Sequence, residues 1–134
     1  MRFTVSLKKT AQFRAVYTKG RSCATAALVL YALPNGHAGN RLGFSVSKKI
    51  GGAVTRNRVT RLIRENYRLL EQNIKPGVDL VVIARKPAGE AGFREIRDSL
   101  VKLLKRQNVY IGNGAFSEDD MYAPKSGHKG PDVL

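Results

Sequence analysis

Residues 41–68 read RLGFSVSKKIGGAVTRNRVTRLIRENYR, and this stretch decides the fold. Its first seven residues alternate as a strand does, the Lys-Lys-Ile-Gly-Gly segment is typical of a turn, and a long helical pattern follows. From Lys48 to Arg68 there are seven basic residues and one acid, a net charge of +6 in 21 residues. Such a dense positive charge indicates a surface that binds a polyanion, with nucleic acid as the leading candidate.

The helical pattern predicts one helix over residues 55–72 with two unlike sides. At about 100° per residue, the arginines of its second half lie opposite an apolar stripe. Glutamates that would neutralise these arginines from four residues away are nearly absent, so an ordinary solvated face is the weaker interpretation. The stripe consists of Val59, Leu62, Ile63, Tyr67 and Leu70. The predicted nucleic-acid-binding residues are Lys48, Lys49, Arg56, Asn57, Arg58, Arg61, Arg64 and Arg68.

The sequence on both sides of this stretch predicts further helices and strands. Apolar residues at helical spacing predict one helix over residues 10–19 and another over residues 93–106. Continuous apolar runs predict strands over residues 24–33 and 79–84, each covered on both faces. In the simplest arrangement, residues 24–33 pair antiparallel with the strand at residues 41–47.

Charge divides the 134 residues into two unequal parts. Residues 1–111 carry 22 basic and 6 acidic side chains, whereas residues 112–134 carry 2 basic and 4 acidic side chains. The first part has the periodic apolar patterns of a single domain. The second part is polar and glycine-rich without such a pattern, so it is predicted to be a disordered tail.

Composition excludes several classes of function. No apolar run approaches the ~18 residues of a membrane span, and a single cysteine excludes an internal disulfide, so a cytoplasmic protein is predicted. There is no Cys/His cluster for zinc and no Walker-type phosphate loop. The six acids of residues 1–111 are scattered, whereas a protein nuclease gathers carboxylates around magnesium. The sequence therefore predicts binding, without catalytic or metal-ligating residues.

Aromatic residues raise a second question. Phe13, Val16 and Tyr17 share one face of the first predicted helix, which Gly20 is expected to end in a left-handed conformation. Together with Tyr31, these rings could stack on single-stranded bases for about 1–3 kcal/mol each. They could equally belong to the core, and their spacing does not decide between the two. The choice between RNA and DNA is also open at this point.

A family resemblance decides between these alternatives. The run from Gly43 to Gly51, followed by Ala53-Val54, Arg56-Asn57-Arg58 and Arg61-Leu62-Ile63-Arg64, resembles the signature of the bacterial ribonuclease P protein subunit. Residues 56–64 match the RNR motif of that family. The resemblance covers roughly residues 5–106 and identifies residues 1–111 as a single RNA-binding domain. Thr60 departs from it, because this position is usually basic in the family.

The resemblance implies a particular fold. It is an α/β (α+β) two-layer sandwich of αβββαβα order, similar to a ribosomal-protein domain. Its four-stranded mixed sheet contains a left-handed βαβ crossover through the arginine helix, against the usual preference for right-handed crossovers.

The resemblance also implies a function. The chain would be the protein subunit of ribonuclease P, an endoribonuclease whose catalytic RNA removes the 5′ leader of precursor tRNA. The two RNAs would be its partners, with no membrane or protein partner implied. Magnesium would be held mainly by the RNA, and a cleft lined by Phe13, Tyr17, Val29 and Tyr31 would bind the leader. A structural RNA-binding protein of ribosomal type, without processing activity, is the alternative.

Overall fold

The computed structural model describes residues 4–111, so the predicted tail at residues 112–134 lies outside the described residues. All three predicted helices are present, the first and third with the predicted limits and the second two residues earlier at each end. Short 3₁₀ turns lie at Lys48–Ile50, Glu71–Asn73 and Lys86–Glu90. The elements are β1 (Thr4–Ser6), α1 (Thr10–Lys19), β2 (Arg21–Ala24), β3 (Leu28–Pro34), β4 (Asn40–Ser45), α2 (Ala53–Leu70), β5 (Val78–Ala84) and α3 (Phe93–Arg106).

The strands form one mixed sheet in the order β1-β4-β5-β3-β2. Strand β4 runs parallel to β1 and β5, whereas β3 runs antiparallel to β5 and β2. This arrangement confirms the mixed α/β class, and α2 connects the neighbouring parallel strands β4 and β5. The sheet has five strands rather than the expected four, because the three residues of β1, too few for a periodic signal, add an edge. The left-handed sense of the crossover stays a prediction.

Two strand predictions were wrong. Residues 24–33 are not one strand but part of a hairpin, in which Thr25 turns the chain between β2 and β3. The Thr25 backbone N–H donates to the Leu28 carbonyl at 2.8 Å, and the Leu28 N–H donates to the Thr25 hydroxyl at 3.1 Å. The predicted antiparallel pairing of β3 with β4 is also absent, because β5 lies between them. A strand that is distant in sequence can take this central place only through tertiary packing.

One face of the sheet is closed by α2 and α3. Side chains alternate along β5, so that Leu80 and Val82 point to this face and Val81 points to the other. The core between sheet and helices contains fully buried residues from both helices, among them Ile63 and Leu100. This is the larger of the two apolar clusters of the described residues.

The other face of the sheet is covered by α1 alone. Its buried cluster consists of Leu7, Val16 and Val81, with Phe13 packed against it. Close approach requires glycine at two positions. A Cβ atom on Gly43 would lie 2.5 Å from the Phe13 ring, and one on Gly20 would lie 2.5 Å from the Val16 carbonyl oxygen. Gly20 has φ −80°, so it ends α1 through close packing and not through the left-handed conformation that was predicted.

Buried polar groups tie the sheet edge to α2 and to the β3–β4 loop. The Tyr67 hydroxyl and the Thr4 hydroxyl are 2.9 Å apart, which links α2 to the edge strand β1. Burial raises the pKa of Tyr67, and its hydrogen bond to Thr4 opposes that shift. The Arg41 guanidinium binds Asp79 with two contacts of 2.7 and 2.8 Å, and Asn35 donates to the same carboxylate at 2.9 Å. These contacts fix α2 and the loop relative to the parallel strands.

Candidate nucleic-acid interface

Helix α2 has the two unlike sides that the sequence predicted. Val59, Ile63 and Tyr67 are fully buried against the sheet, whereas the side chains of Arg61, Arg64 and Arg68 are exposed. We call these three residues the α2 arginine row. None of the three forms a salt bridge with a carboxylate of residues 4–111. The row is therefore a cationic surface that the described part of the chain does not neutralise.

Arg64 is partly oriented by an aromatic ring. Its guanidinium carbon lies 5.4 Å from the centroid of the Phe44 ring, which belongs to β4 and packs on the main core. A cation over the face of an aromatic ring is attracted by the ring quadrupole. Such a contact restricts the guanidinium without using its donors, so Arg64 keeps its hydrogen-bonding capacity for a phosphate or a base.

Arg58 does not point into solvent, contrary to the prediction for this residue. Its half-buried guanidinium donates to the carbonyl oxygen of Ala91 at 3.0 Å and, through a shorter contact, to that of Gly89. Two carbonyls of the segment before α3 thus bind one cation. The sequence pattern could not reveal this role, because it depends on a segment more than 30 residues away. The contacts show that Arg58 holds this segment against α2.

The start of α2 carries further predicted residues. Asn57 is exposed, whereas Arg56 is half-buried and its Nε atom has no hydrogen-bond partner in residues 4–111. Thr60 donates its hydroxyl to the Arg56 carbonyl oxygen at 2.9 Å. The threonine at this usually basic position therefore bonds to its own helix.

The turn before α2 presents Lys48 and Lys49 to solvent. The Ser47 hydroxyl caps this turn by accepting a hydrogen bond from the Lys49 backbone N–H at 3.3 Å. Since Gly52 is the N-terminal cap of α2, the two lysines lie beside backbone amides that favour an anion.

The sequence analysis missed a cationic pocket beside this turn. The pocket has a volume of about 470 Å³ and lies where the parallel strands β4 and β5 end. Its lining includes Lys49 together with Arg85 and Lys86, which were not among the predicted residues. The signal that could have found them is the parallel β4-α2-β5 unit, because the carboxyl ends of parallel strands share one edge of a sheet. Its full lining is Ser47, Lys49, Ile50, Ala84, Arg85 and Lys86.

Three aromatic rings lie on the sheet face under α1, and we call the surface formed by Phe13, Tyr17 and Tyr31 the aromatic cleft. The centroids of the Phe13 and Tyr17 rings are 6.3 Å apart, and the Tyr17 and Tyr31 rings meet edge to face at 5.0 Å. Tyr17 is 39% exposed, whereas Phe13 and Tyr31 are half-buried. Burial raises the pKa of Tyr17, Tyr31 adds to the shift, and a hydrogen bond with Ser45 opposes it. The ring therefore stays uncharged at neutral pH, which suits a contact with RNA.

Val29 does not share this exposure. It follows the alternation of β3 and lies opposite Ile83 in the register, on the same face as Tyr31. Only 5% of its surface is exposed. Val29 therefore offers little surface to a ligand, although it lies on the same face of the sheet as Tyr31.

In residues 4–111, no group of three or more His, Cys, Asp or Glu side chains is arranged to hold a metal ion. No helix among these residues has the length and apolar character that crossing a membrane requires.

Comparison with known proteins identifies the family. Residues 1–108 match the family described as Ribonuclease P. A ribonuclease P protein component from Caldanaerobacter subterraneus is 48% identical over 104 residues, covering 78% of this chain and 90% of that protein. Another, from Clostridioides difficile, is 50% identical over 109 residues, covering 81% of this chain and 96% of that protein.

Solved structures agree with the sequence matches. The RNase P protein of Staphylococcus aureus superposes with a TM-score of 0.73 at 42% identity, covering 78% of this chain and 96% of that one. The RNase P protein from Thermotoga maritima gives a TM-score of 0.70 at 34% identity, covering 75% of this chain and 96% of that one. The fold of the present chain, the cationic helix α2 and these matches show that the chain belongs to the ribonuclease P protein family, whose members are protein subunits of the enzyme that processes the 5′ end of tRNA.

Proposed function

We propose that the chain binds two RNAs at once: the catalytic RNA of ribonuclease P through α2 and the 5′ leader of precursor tRNA through the aromatic cleft. The observation that carries this proposal is the continuity of the two surfaces around the end of β4. Ser45 contacts Tyr17 in the cleft, Ser47 lines the cationic pocket two residues later, and Lys49 leads from that pocket to α2. The two surfaces are therefore adjacent, and a leader bound in the cleft can continue into the cationic pocket beside the catalytic RNA on α2.

The α2 arginine row is the part of this surface that suits a folded RNA. Three exposed guanidinium groups on successive helical turns can each bind a backbone phosphate with paired donors. Their attachment to a rigid, buried helix lowers the entropic cost of binding. The positive charge also reduces repulsion between the catalytic RNA and its RNA substrate.

The leader, in turn, suits the aromatic cleft. A single strand exposes base faces, and the partly exposed Tyr17 ring offers a surface on which one of them can stack. Lys49, Arg85 and Lys86 lie next along the path and supply phosphate contacts. Because mature tRNA lacks a leader, this cleft distinguishes the precursor from the product.

In this proposal the catalytic RNA breaks the phosphodiester bond and holds the magnesium ions that activate water. The protein contributes affinity for RNA and the choice of substrate, and none of its residues is assigned a catalytic role. We place the assembled enzyme in the cytoplasm.

Reconstitution with the catalytic RNA at low magnesium tests the proposal. We expect the chain to restore leader cleavage under conditions in which the RNA alone is nearly inactive, and the chain without that RNA to cleave nothing. The affinity for RNA should fall steeply with salt, because each phosphate contact releases counterions. Cleavage by the chain alone would contradict the proposal, as would an affinity that does not depend on salt.

The same experiment separates the structural alternative. An RNA-binding protein of ribosomal type would bind the RNA with a similar salt dependence but would not stimulate leader cleavage. The partly exposed aromatic cleft favours the processing role, because a purely structural protein has no need to distinguish a single-stranded leader.

A further inference from the structure

The distribution of acidic residues in this chain is as uneven as that of basic ones. Residues 1–64 contain no aspartate or glutamate at all. After the described residues, Glu118, Asp119 and Asp120 form three consecutive acids within residues 112–134. We call residues 118–120 the acidic segment. The chain thus carries a cationic helix whose arginine row forms no salt bridge within residues 4–111, and a short run of acidic residues later in the sequence.

The structure fixes the point from which this segment starts. The Ile111 backbone N–H donates to the carbonyl oxygen of Asn73 at 2.7 Å, and Tyr110 forms a bridge with Ile74. Asn73 belongs to the turn that directly follows α2. The described chain therefore ends beside the C-terminal end of α2, where Arg68 is the nearest member of the arginine row.

The connecting length is sufficient for contact. Residues 112–117 span up to about 20 Å when extended, at roughly 3.3 Å per residue. Arg61, the most distant member of the arginine row, precedes Asn73 by 12 residues, which is about 18 Å along a helix. All three arginines lie within reach of Glu118 and the residues that follow it.

Apolar surface at the same end of α2 adds a second form of complementarity. Leu69, next to Arg68 in the sequence, is 57% exposed, and Ile111, which bonds to Asn73 just after α2, is 53% exposed. The acidic segment is flanked in the sequence by Phe116 on one side and by Met121 and Tyr122 on the other. Apolar and charged groups therefore occur together on the helix and on the segment.

We propose that the acidic segment binds the α2 arginine row when RNA is absent and competes with RNA for it. A tethered segment acts at a millimolar effective concentration, so even a weak contact excludes weakly bound RNA. The catalytic RNA makes more phosphate contacts and displaces the segment. The proposal rests on the proposed function only in naming RNA as the competitor. The family match ends at residue 108, so this competition belongs to the chain's own extension.

Charge-neutral variants of the full chain test this inference. Asp119→Asn/Asp120→Asn removes two negative charges from the segment. Glu90→Gln/Asp98→Asn removes the same charge from two exposed residues, one just before α3 and one within it, and is the matched control. We expect the first variant to bind a short single-stranded oligonucleotide about three- to tenfold more tightly than wild type at low salt, as the loss of two exposed ion pairs implies. The control should change by less than about twofold.

A second measurement needs no RNA. Backbone and arginine side-chain NMR signals of the wild-type chain are compared with those of Asp119→Asn/Asp120→Asn. We expect shifts concentrated at Arg61, Arg64 and Arg68, disappearing at high salt. An unchanged α2, or shifts concentrated on the basic residues of α1, would overturn the proposal. Equal tightening by the control variant would also overturn it, by attributing the effect to net charge. If no variant binds RNA, the proposed function fails, and the NMR comparison still decides this inference.

Discussion

The two faces of the sheet differ in how completely they are covered. On one face, α2 and α3 close over a cluster of 22 buried residues, whereas on the other, α1 closes over a cluster of three. On the first face the apolar side of α2 closes the core, so Arg61, Arg64 and Arg68 on its outer side remain exposed. The second face leaves its aromatic rings only partly covered, which makes them available to a ligand. The completeness of helix coverage thus differs between the two faces, and the two faces suit different kinds of contact with RNA.

The largest expected effect compares neighbouring residues on the same strand. Leu80 and Val81 of β5 are both fully buried but point to opposite faces. Leu80→Ala leaves a cavity in the closed core and should lower the free energy of unfolding by about 3–4 kcal/mol. Val81→Ala should cost about 1–2 kcal/mol, since fewer methyl groups are lost and α1 can settle into the gap. Urea unfolding of both variants measures the difference, and equal losses would mean that the two faces are equally rigid.

The next effect separates two arginines of α2. Arg58→Ala removes a charged donor from the carbonyls of Gly89 and Ala91, so it should lower the free energy of unfolding by about 1–3 kcal/mol. Arg61→Ala should change stability by less than about 0.5 kcal/mol while weakening RNA binding, because Arg61 is exposed. Denaturant midpoints and RNA affinities of both variants test this contrast. Similar midpoints for the two would show that the Arg58 contacts contribute nothing to folding.

A smaller effect concerns the selectivity for precursor over mature tRNA on the sheet face that α1 covers. Tyr17→Ala should reduce the preference for precursor over mature tRNA about tenfold, which corresponds to one lost stacking contact of about 1.4 kcal/mol. Tyr17→Phe keeps the ring and is the control that should retain most of the preference. Binding of the two tRNAs by each variant is the measurement, and an equal loss for both substrates would identify the ring as core. Phe13→Ala should act in the same direction, but its packing on Gly43 adds a loss of stability.

The smallest effect is a pH dependence in the closed core. Since burial raises the pKa of Tyr67, the folded state favours the neutral phenol. The stability that Tyr67 contributes is present below its unfolded pKa of about 10 and is lost as pH rises towards the folded value. The difference in unfolding free energy between wild type and Tyr67→Phe should therefore shrink above pH ~10. A difference that stays constant up to pH ~11 would contradict the role of burial.

Local patterns in the sequence predicted the helices well, because each helix carries its own 3.6-residue period. The stripe of Val59, Ile63 and Tyr67 is one example, and the exposure of Arg61 follows from it. Strand order could not be predicted in this way, since the place of β5 between β4 and β3 depends on pairs of residues that are 38 to 56 positions apart. The anchoring of Arg58 was missed for the same reason, as its partners lie beyond β5.

The residues of the candidate site also fall into those that local sequence patterns predicted and those that depend on contacts distant in sequence. Exposed lysines and arginines of one continuous segment were found from charge alone, and the partial exposure of Tyr17 agrees with the leader-binding interpretation. Burial of Val29 was not foreseen, because alternation gives the face of a residue but not what covers it. Arg85 and Lys86 became visible only when the parallel strands brought their ends together.

The position of β5 has a consequence for the order of folding during synthesis. Among the strands of residues 4–111, this one is made last by the ribosome, yet it occupies the middle of the sheet and joins the other four strands into one. Until it emerges, β1 and β4 have no link to β2 and β3, and the arginine helix has no completed surface to pack on. The nascent chain therefore stays a highly basic, incompletely folded polypeptide until β5 has been made. Its sheet should assemble in a single late step, after residue 84 has left the exit tunnel.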